Sequence, residues 1–164
     1  GILEISENLT IEKFSASPNS RYLFLHLKNG QLFLISSGQP IKLLGENIKG
    51  ASFSPDSKKL AYWTKDSLKI LFLSDLFQDI IKKANEEIKW DFPGENLEEF
   101  FWWSNSFHFF LKGKKLYFSE IDDRDKPNVF AYEFGENKCY FSSDYLFRLN
   151  EGIERINFKF ESLE

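Results

Sequence analysis

Short apolar runs alternate with short polar segments along most of the chain, most clearly in residues 53–73, FSPDSKKLAYWTKDSLKILFL. The segments SPDS and KDS have the composition of tight turns, because proline fixes its own φ while Asp and Ser bond nearby backbone groups. The runs LAYW and LKILFL are rich in residues that suit a pleated strand. The pattern therefore predicts a strand, a turn, a second strand, a second turn and a third strand.

The same pattern recurs three more times. Residues 14–35 repeat it with an Asn-Gly hairpin turn, and residues 103–118 and 142–160 repeat it more weakly. Pro18 and Pro55 stand 37 residues apart, and Ser104 stands 49 residues after Pro55. Repeats of roughly 40–45 residues with several strands each are typical of propeller blades. A β-sandwich with regularly spaced strands is the alternative.

The repeated turns carry a recognisable motif. Its residues are Ser17, Pro18, Asn19, Ser54, Pro55, Asp56, Ser104 and Asn105. The segment FSPDSKKLAYW resembles the Ser-Pro-Asp-Gly motif of TolB-like (WD-repeat-like) β-propeller repeats, in which it marks the turn between the first two strands of a blade. Ser20, Ser57 and Ser106 stand where that motif has glycine, so we expect a turn without a strict requirement for positive φ.

The resemblance extends to IDDRDKPN at residues 121–128, which is similar to a connector in uncharacterised bacterial proteins with such repeats. It implies a scaffold, favours an extracytoplasmic location and says little about a ligand. We therefore expect an all-β fold of four-stranded propeller blades, about 3.5–4 in number, as a partial or half propeller. The expected single domain spans residues 1–164. Its repeats lie at about 11–48, 49–92, 97–134 and 138–164, with residues 2–6 as a candidate outer strand.

One segment departs from the strand pattern. In residues 74–87, SDLFQDIIKKANEE, apolar positions recur at helical spacing after a serine suited to capping a helix. These positions are Leu76, Phe77, Ile80, Ile81 and Ala84. They predict a short helical insertion near residues 75–85, between the third and fourth strands of the second repeat. Phe77 is a candidate interaction residue, because such an insertion can form a docking ridge.

The amino-acid composition narrows the kinds of partner that we expect. The net charge of −4 provides no basic excess for phosphates, so we do not expect a nucleic-acid partner. No segment approaches the roughly 20 apolar residues of a membrane span. Cys139 is the only cysteine, which excludes an intrachain disulfide and a thiolate zinc cluster.

The sequence offers little catalytic chemistry. It contains no glycine-rich phosphate loop and no paired-carboxylate motif. We interpret His26 and His108 as structural residues at related positions in two second strands. Asp122, Asp123 and Asp125 lack the spacing of a calcium loop, and we expect them to bond the loop backbone and Arg124. We therefore expect a protein that is not an enzyme and has no catalytic, cofactor-binding or metal-binding residues.

Two kinds of function remain. The first is a non-catalytic scaffold for protein–protein contacts or self-association. The second is a binding or sensor domain for a small ligand, glycan or peptide, as part of a larger envelope or extracytoplasmic protein. The aromatic run with Phe101, Trp102 and Trp103 forms either a buried inner strand or an exposed interaction platform. An open arc of blades leaves two faces uncovered. The arc closes alone as a four-bladed ring, with a second copy in a dimer that completes a propeller, or with other parts of a longer chain, and we favour the last two.

Overall fold

The computed structural model describes residues 10–77, 80–124, 128–133, 138–142, 145–149 and 153–156. The expected strand at residues 2–6 lies outside these ranges. The described strands are β1 (Ile11–Ala16), β2 (Tyr22–Leu27), β3 (Leu32–Ser36), β4 (Lys42–Gly45), β5 (Gly50–Phe53), β6 (Lys59–Trp63), β7 (Ser67–Phe72), β8 (Leu76–Phe77), β9 (Ile81–Lys82), β10 (Glu87–Asp91), β11 (Glu99–Trp102), β12 (His108–Lys112), β13 (Leu116–Glu120), β14 (Val129–Tyr132), β15 (Lys138–Ser142), β16 (Tyr145–Leu149) and β17 (Ile153–Ile156).

These strands form a series of antiparallel sheets in chain order. Sheet 1 has the order β1-β2-β3-β4, sheet 2 the order β5-β6-β7-β10, and sheet 3 the order β11-β12-β13-β14. The described part of sheet 4 has the order β15-β16-β17. Each sheet is a meander of neighbouring hairpins, which the alternation of strand and turn segments predicts. The all-β expectation is confirmed.

The prediction of a helix near residues 75–85 is wrong, because the described residues there form a small hairpin of β8 and β9. Leu76 and Ile80 are buried in the core beside sheet 2. The side chains of Phe77 and Ile81, which are cross-strand partners, are exposed. The Asp75 carboxylate accepts a hydrogen bond from the Ala84 N–H at 2.8 Å, which holds the base of the hairpin together. Tertiary burial of two residues thus overrides a weak local helical preference.

Adjacent sheets pack face to face through apolar side chains. Phe24 of sheet 1 belongs to one buried cluster with Leu60, Tyr62 and Leu71 of sheet 2. A larger cluster joins sheet 2 to sheet 3 and includes both tryptophans of sheet 2. A third cluster places Leu146 of sheet 4 against sheet 3. Every sheet between two others is therefore apolar on both faces.

Gly50 shows how closely these sheets are packed. It is the cross-strand partner of Trp63, whose indole stacks on Phe100 of sheet 3 with ring centroids 5.7 Å apart. A Cβ atom on Gly50 would lie 2.3 Å from Cζ2 of Trp63. The small residue at the start of this inner strand thus makes room for an aromatic ring between two sheets.

We expect Gly50→Ala to lower the free energy of unfolding by about 1–3 kcal/mol, because the new methyl group displaces Trp63. Denaturant unfolding followed by fluorescence measures the change. In the double variant Gly50→Ala with Trp63→Phe, the smaller ring relieves the clash. The double variant should therefore lose less stability than the sum of the two single variants. Simple additivity of the two losses would contradict this packing argument.

Candidate interaction surfaces

The motif residues form three turns of one geometry, each joining the first two strands of a sheet. The main-chain N–H groups of Ser20, Ser57 and Ser106 each donate to the carbonyl three residues earlier, at 2.7–2.9 Å. Side-chain oxygens of Asn19, Asp56 and Asn105 each accept a main-chain N–H two residues later. The same local bonds thus build the first-strand turn of sheets 1, 2 and 3.

The expectation of a turn without a strict requirement for positive φ is wrong. Ser20, Ser57 and Ser106 have φ values of 57°, 60° and 62°. A left-handed residue other than glycine is costly, so a compensating contact is needed. For Ser57 and Ser106 the contact is a hydrogen bond that a glycine has no side chain to make.

The serine hydroxyls join neighbouring sheets. The Asn19 N–H of sheet 1 donates to Oγ of Ser57 in sheet 2 at 3.0 Å, and the Asp56 N–H of sheet 2 donates to Oγ of Ser106 in sheet 3 at 3.1 Å. Ser57 and Ser106 are 5 % and 1 % exposed. We call this contact the serine latch: a turn in one sheet donates a main-chain N–H to the left-handed serine of the next sheet.

An ion pair between a buried lysine and a partly exposed aspartate lies beside the second latch. Nζ of Lys59 lies 2.6 Å from Oδ2 of Asp56 and 4.9 Å from the ring centroid of Phe107 in sheet 3, and the lysine side chain is fully buried. Burial alone raises the pKa of Asp56, but hydrogen bonds from Lys59, Ser54 and Lys58 outweigh it and hold that pKa below its ordinary value. The carboxylate therefore stays charged and neutralises a lysine that has no access to water.

The aromatic run is half-buried between sheets. The Trp102 indole N–H donates to the carbonyl of Ser52 in sheet 2 at 3.1 Å, and Phe101 stacks on Phe141 of sheet 4 with centroids 4.1 Å apart. Trp103 contacts the rings of Phe110 and Phe118. Phe101 and Trp102 also line an open cleft of about 430 Å³ next to Pro55. Phe101 and Trp102 therefore contribute mainly to packing between sheets, and Trp103 packs on rings of its own sheet.

Phe77 lies apart from that run. It is 71 % exposed on the β8–β9 hairpin, next to Ile81 at 75 %. Lys82 of the same hairpin forms a 2.7 Å ion pair with Asp123, which connects the hairpin to the segment after β13. Phe77 and Ile81 therefore form an exposed apolar pair on a hairpin that the Lys82–Asp123 ion pair ties to the segment after β13.

The remaining titratable residues have structural contacts. His26 lies near the end of β2 and His108 begins β12, so the expectation that they occupy related positions is wrong. Nε2 of His26 lies 2.9 Å from the Ile48 carbonyl oxygen and donates to it. Burial lowers the pKa of His108, whose Nδ1 accepts from the Asn105 amide. Arg124 bonds Asp122 and lowers the pKa of that carboxyl to about 2.

Asp125 lies outside the described residues, which contain no group of three His, Cys, Asp or Glu side chains placed to hold a metal ion. The same residues include no helix that is long and apolar enough to cross a membrane.

The outer face of sheet 1, at the first end of the series of sheets, is apolar. In sheets 2 and 3, Leu60, Tyr62, Phe109 and Leu111 point from the second strand towards the preceding sheet. Leu23 and Leu25 occupy the same positions of sheet 1, counted from the shared turn. Phe14, Leu25, Phe33 and Leu43 follow one cross-strand row on that face. Phe14 is 67 % exposed and Leu43 is 47 % exposed.

The outer face of the described part of sheet 4, at the other end of the series, is also apolar. Leu146 of sheet 4 is buried against sheet 3, so its neighbours Tyr145 and Phe147 point away from sheet 3. Leu149 and Ile153 are cross-strand partners on that outer face, and Ile153 is 79 % exposed. Exposed apolar surfaces of this kind mark interaction sites in soluble proteins. We call these two surfaces the sheet 1 end face and the sheet 4 end face.

Solved structures share this arrangement of sheets. The chain is similar to the Cps50 (Swd1) β-propeller domain of Myceliophteria thermophila, with a TM-score of 0.61 and 12 % identity, over 92 % of this chain and 55 % of that one. It is similar to Kluyveromyces lactis Hsv2, with a TM-score of 0.58 and 13 % identity, over 93 % and 48 %. A third match, assigned as a 6-phosphogluconolactonase from Bacteroides uniformis, has a TM-score of 0.51 and 10 % identity, over 85 % and 47 %.

These similarities establish a β-propeller type of fold, and at such identities they establish the fold alone. The chain spans about half the length of the solved chains that it matches. No protein-family model matches the sequence, and a search of curated proteins also finds no match.

The Asp56–Lys59 pair yields a prediction about stability. We expect Asp56→Asn to lower the free energy of unfolding by about 3 kcal/mol, because the fully buried Lys59 then loses its counter-charge. The turn itself tolerates the change, since Asn19 and Asn105 occupy the same position in sheets 1 and 3. Denaturant unfolding at neutral pH measures the loss. The double variant Asp56→Asn with Lys59→Met, which removes both charges, should regain most of it.

Asp91→Asn is the matched control. Asp91 pairs with Lys89 at 2.7 Å, but both side chains are exposed, so the expected loss is under about 1 kcal/mol. The folded pKa of Asp56 is lowered, so its stabilisation is complete above the ordinary pKa of 3.8 and is lost as the pH falls through the folded value. Equal losses in Asp56→Asn and Asp91→Asn would contradict the role of the buried pair.

Proposed function

We propose that this chain is a non-catalytic β-propeller scaffold that binds protein through its two end faces, and that a second copy of the chain occupies them. The observation that carries the proposal is the position of the exposed apolar side chains. Phe14 and Leu43 lie at one end of the series of sheets, and Ile153 lies at the other.

The internal interfaces support this choice of partner. Sheets 2 and 3 use the second-strand positions of Leu60, Tyr62, Phe109 and Leu111 to pack against a preceding sheet. The sheet 1 end face has leucines at the same positions, of which Leu23 is partly exposed and Leu25 is buried. The exposed apolar area of this face comes from Phe14 and Leu43. A surface with the apolar composition of an interface between two sheets is best covered by another sheet of the same kind. The sheet 4 end face, with Tyr145, Leu149 and Ile153, is the available surface of that kind in a second copy.

The length of the chain relative to the matched propellers also supports a dimer. The chain covers 55 % and 48 % of the matched Cps50 and Hsv2 chains, so two copies provide about the length of one such propeller. In the arrangement we propose, the sheet 4 end face of each copy packs on the sheet 1 end face of the other. Two such contacts, related by a two-fold axis, close the ring and cover both apolar ends of each copy.

We expect the chain to form a dimer whose population rises with concentration, as measured by light scattering or sedimentation. Phe14→Glu and Ile153→Glu, at opposite ends, should each raise the dissociation constant about tenfold or more, since each places a charge in an apolar contact. Phe77→Glu is the matched control. Its phenylalanine is 71 % exposed, against 67 % for Phe14, but it lies on the hairpin away from both end faces.

Mixing the variants tests the head-to-tail arrangement. A mixture of Phe14→Glu and Ile153→Glu contains pairs with one unchanged contact, so it should associate more strongly than either variant alone. A contact between two identical end faces predicts instead that one variant is inactive and the other behaves as wild type. A mass of one chain at every concentration would overturn the proposal.

A further inference from the structure

The outer edge of sheet 3 is an exposed apolar strand. All four residues of β14 are exposed, and the side chain of Phe130 is 57 % exposed. The strand pairs with β13 in a continuous register, so its main chain is extended over its whole length. Beyond that ladder, no main-chain hydrogen bond within the described part of the chain involves Val129, Phe130 or Ala131. A row of main-chain N–H and C=O groups on the outer side of β14 is therefore available to another strand.

The side chains on both faces of β14 belong to an apolar surface. Phe130 is the cross-strand partner of Phe118, which lies in the buried cluster between sheets 3 and 4. Ala131 is the cross-strand partner of Tyr117, which lies in the cluster between sheets 2 and 3. Successive residues of a strand point to opposite faces of the sheet. A strand added at this edge would therefore cover apolar area on both faces as well as pair with main-chain groups.

The outer edges of sheets 1 and 2 carry features that oppose pairing with a second copy. The exposed positions of β10 are charged. In an antiparallel pair of two β10 strands, Lys89 would lie opposite its own counterpart and Glu87 opposite Asp91, and like charges in such positions are destabilising. The register of β4 against β3 shifts within the strand, which is another feature that protects sheet edges.

The strand β14 has neither feature and is complementary to itself. It contains no charged residue and no proline. In a fully overlapping antiparallel pair of two β14 strands, Val129 lies opposite Tyr132 and Phe130 lies opposite Ala131. Each pair combines an aromatic ring with a β-branched or small side chain, and no like charges face each other. A two-fold axis relates the two strands, so both copies use the same surface.

We propose that β14 pairs antiparallel with β14 of a second copy, so that sheet 3 of one chain continues into sheet 3 of the other. The contact is separate from the end-face contact, because β14 is the outer edge of sheet 3, whereas the end faces belong to sheets 1 and 4. When both contacts form, the edge contact links one dimer to the next. The strand has four residues, so we expect weak association that is visible only at high concentration.

The experiment measures the edge contact in a full chain whose two end faces are both blocked, by Phe14→Glu and Ile153→Glu together. Sedimentation across a concentration series into the millimolar range should show an equilibrium between monomer and dimer. Adding Ala131→Lys places a charge opposite Phe130 of the other copy, and adding Phe130→Lys removes the aromatic ring. Each should raise the dissociation constant about tenfold or more.

Ile81→Lys in the same background is the matched control. It also replaces an exposed apolar side chain with a lysine, since Ile81 is 75 % exposed, but it lies on the hairpin of β8 and β9. The dissociation constant should therefore stay unchanged. Equal weakening by Ile81→Lys and Ala131→Lys would assign the effect to added charge and would overturn the edge contact.

A capped peptide of residues 128–133, NVFAYE, tests whether the main chain makes the contact. It should compete for β14 and dissociate the edge dimer. The same peptide with N-methyl groups at residues 129–132 keeps every side chain but lacks the main-chain donors, so it should not compete. Equal competition by the two peptides would overturn strand pairing.

The outcomes separate this inference from the proposed function. A blocked chain that stays monomeric at every concentration overturns pairing of two copies, and binding of the peptide to that monomer assigns the edge to a segment of another protein. Association of the blocked chain that persists in Ala131→Lys and Phe130→Lys also overturns the edge contact. Wild-type association that is lost in Ala131→Lys but unchanged in Phe14→Glu supports the edge contact and overturns the end-face proposal.

Discussion

The structure depends on the requirement that every sheet be covered on two faces. The second strand of each sheet shows this directly, because Phe24 packs towards the next sheet while its neighbour Leu25 faces the opposite way. The sequence of such a strand is a nearly continuous apolar run, unlike the alternating apolar and polar pattern of a sheet with one solvent-exposed face. A stack of such sheets is stable inside and incomplete at its ends, and closing it into a ring is the solution that leaves no end.

Polar contacts then fix the alignment that apolar packing leaves open. The latches at Ser57 and Ser106, the Trp102 bond to Ser52 and the Tyr22 bond to the Leu73 carbonyl all cross from one sheet to the next. Each is directional and has a partner at one register only. The buried Lys59 differs from these, because Asp56 of its own turn neutralises its charge while its Nζ lies 4.9 Å from the Phe107 ring centroid beside sheet 3.

The sequence predicts the local features and misses those that depend on neighbouring sheets. Strands and turns follow from apolar runs punctuated by Ser-Pro-Asp and Asn-Gly, and the fold class follows from their repetition. The helix prediction failed because Leu76 and Ile80 are anchored in a core that the local pattern does not describe. The backbone of Ser57 was missed because the bond that offsets its positive φ comes from Asn19, in another repeat. The aromatic run was ambiguous for the same reason, since Trp102 is oriented by a carbonyl of sheet 2.

The two end faces differ in chemistry, which suits the contact between unlike ends that we propose. The sheet 1 end face is formed by Leu and Phe side chains. The sheet 4 end face carries Tyr145, with Cζ of Arg155 placed 5.1 Å from its ring centroid. Contacts between unlike faces close into a ring when the rotation between copies divides the circle, and otherwise continue as a fibre. Here each copy spans about half of the matched propeller chains. In the dimer that we propose, a half turn per copy satisfies the condition for closure, whereas a rotation that does not divide the circle would leave an apolar end face exposed at each end of the assembly.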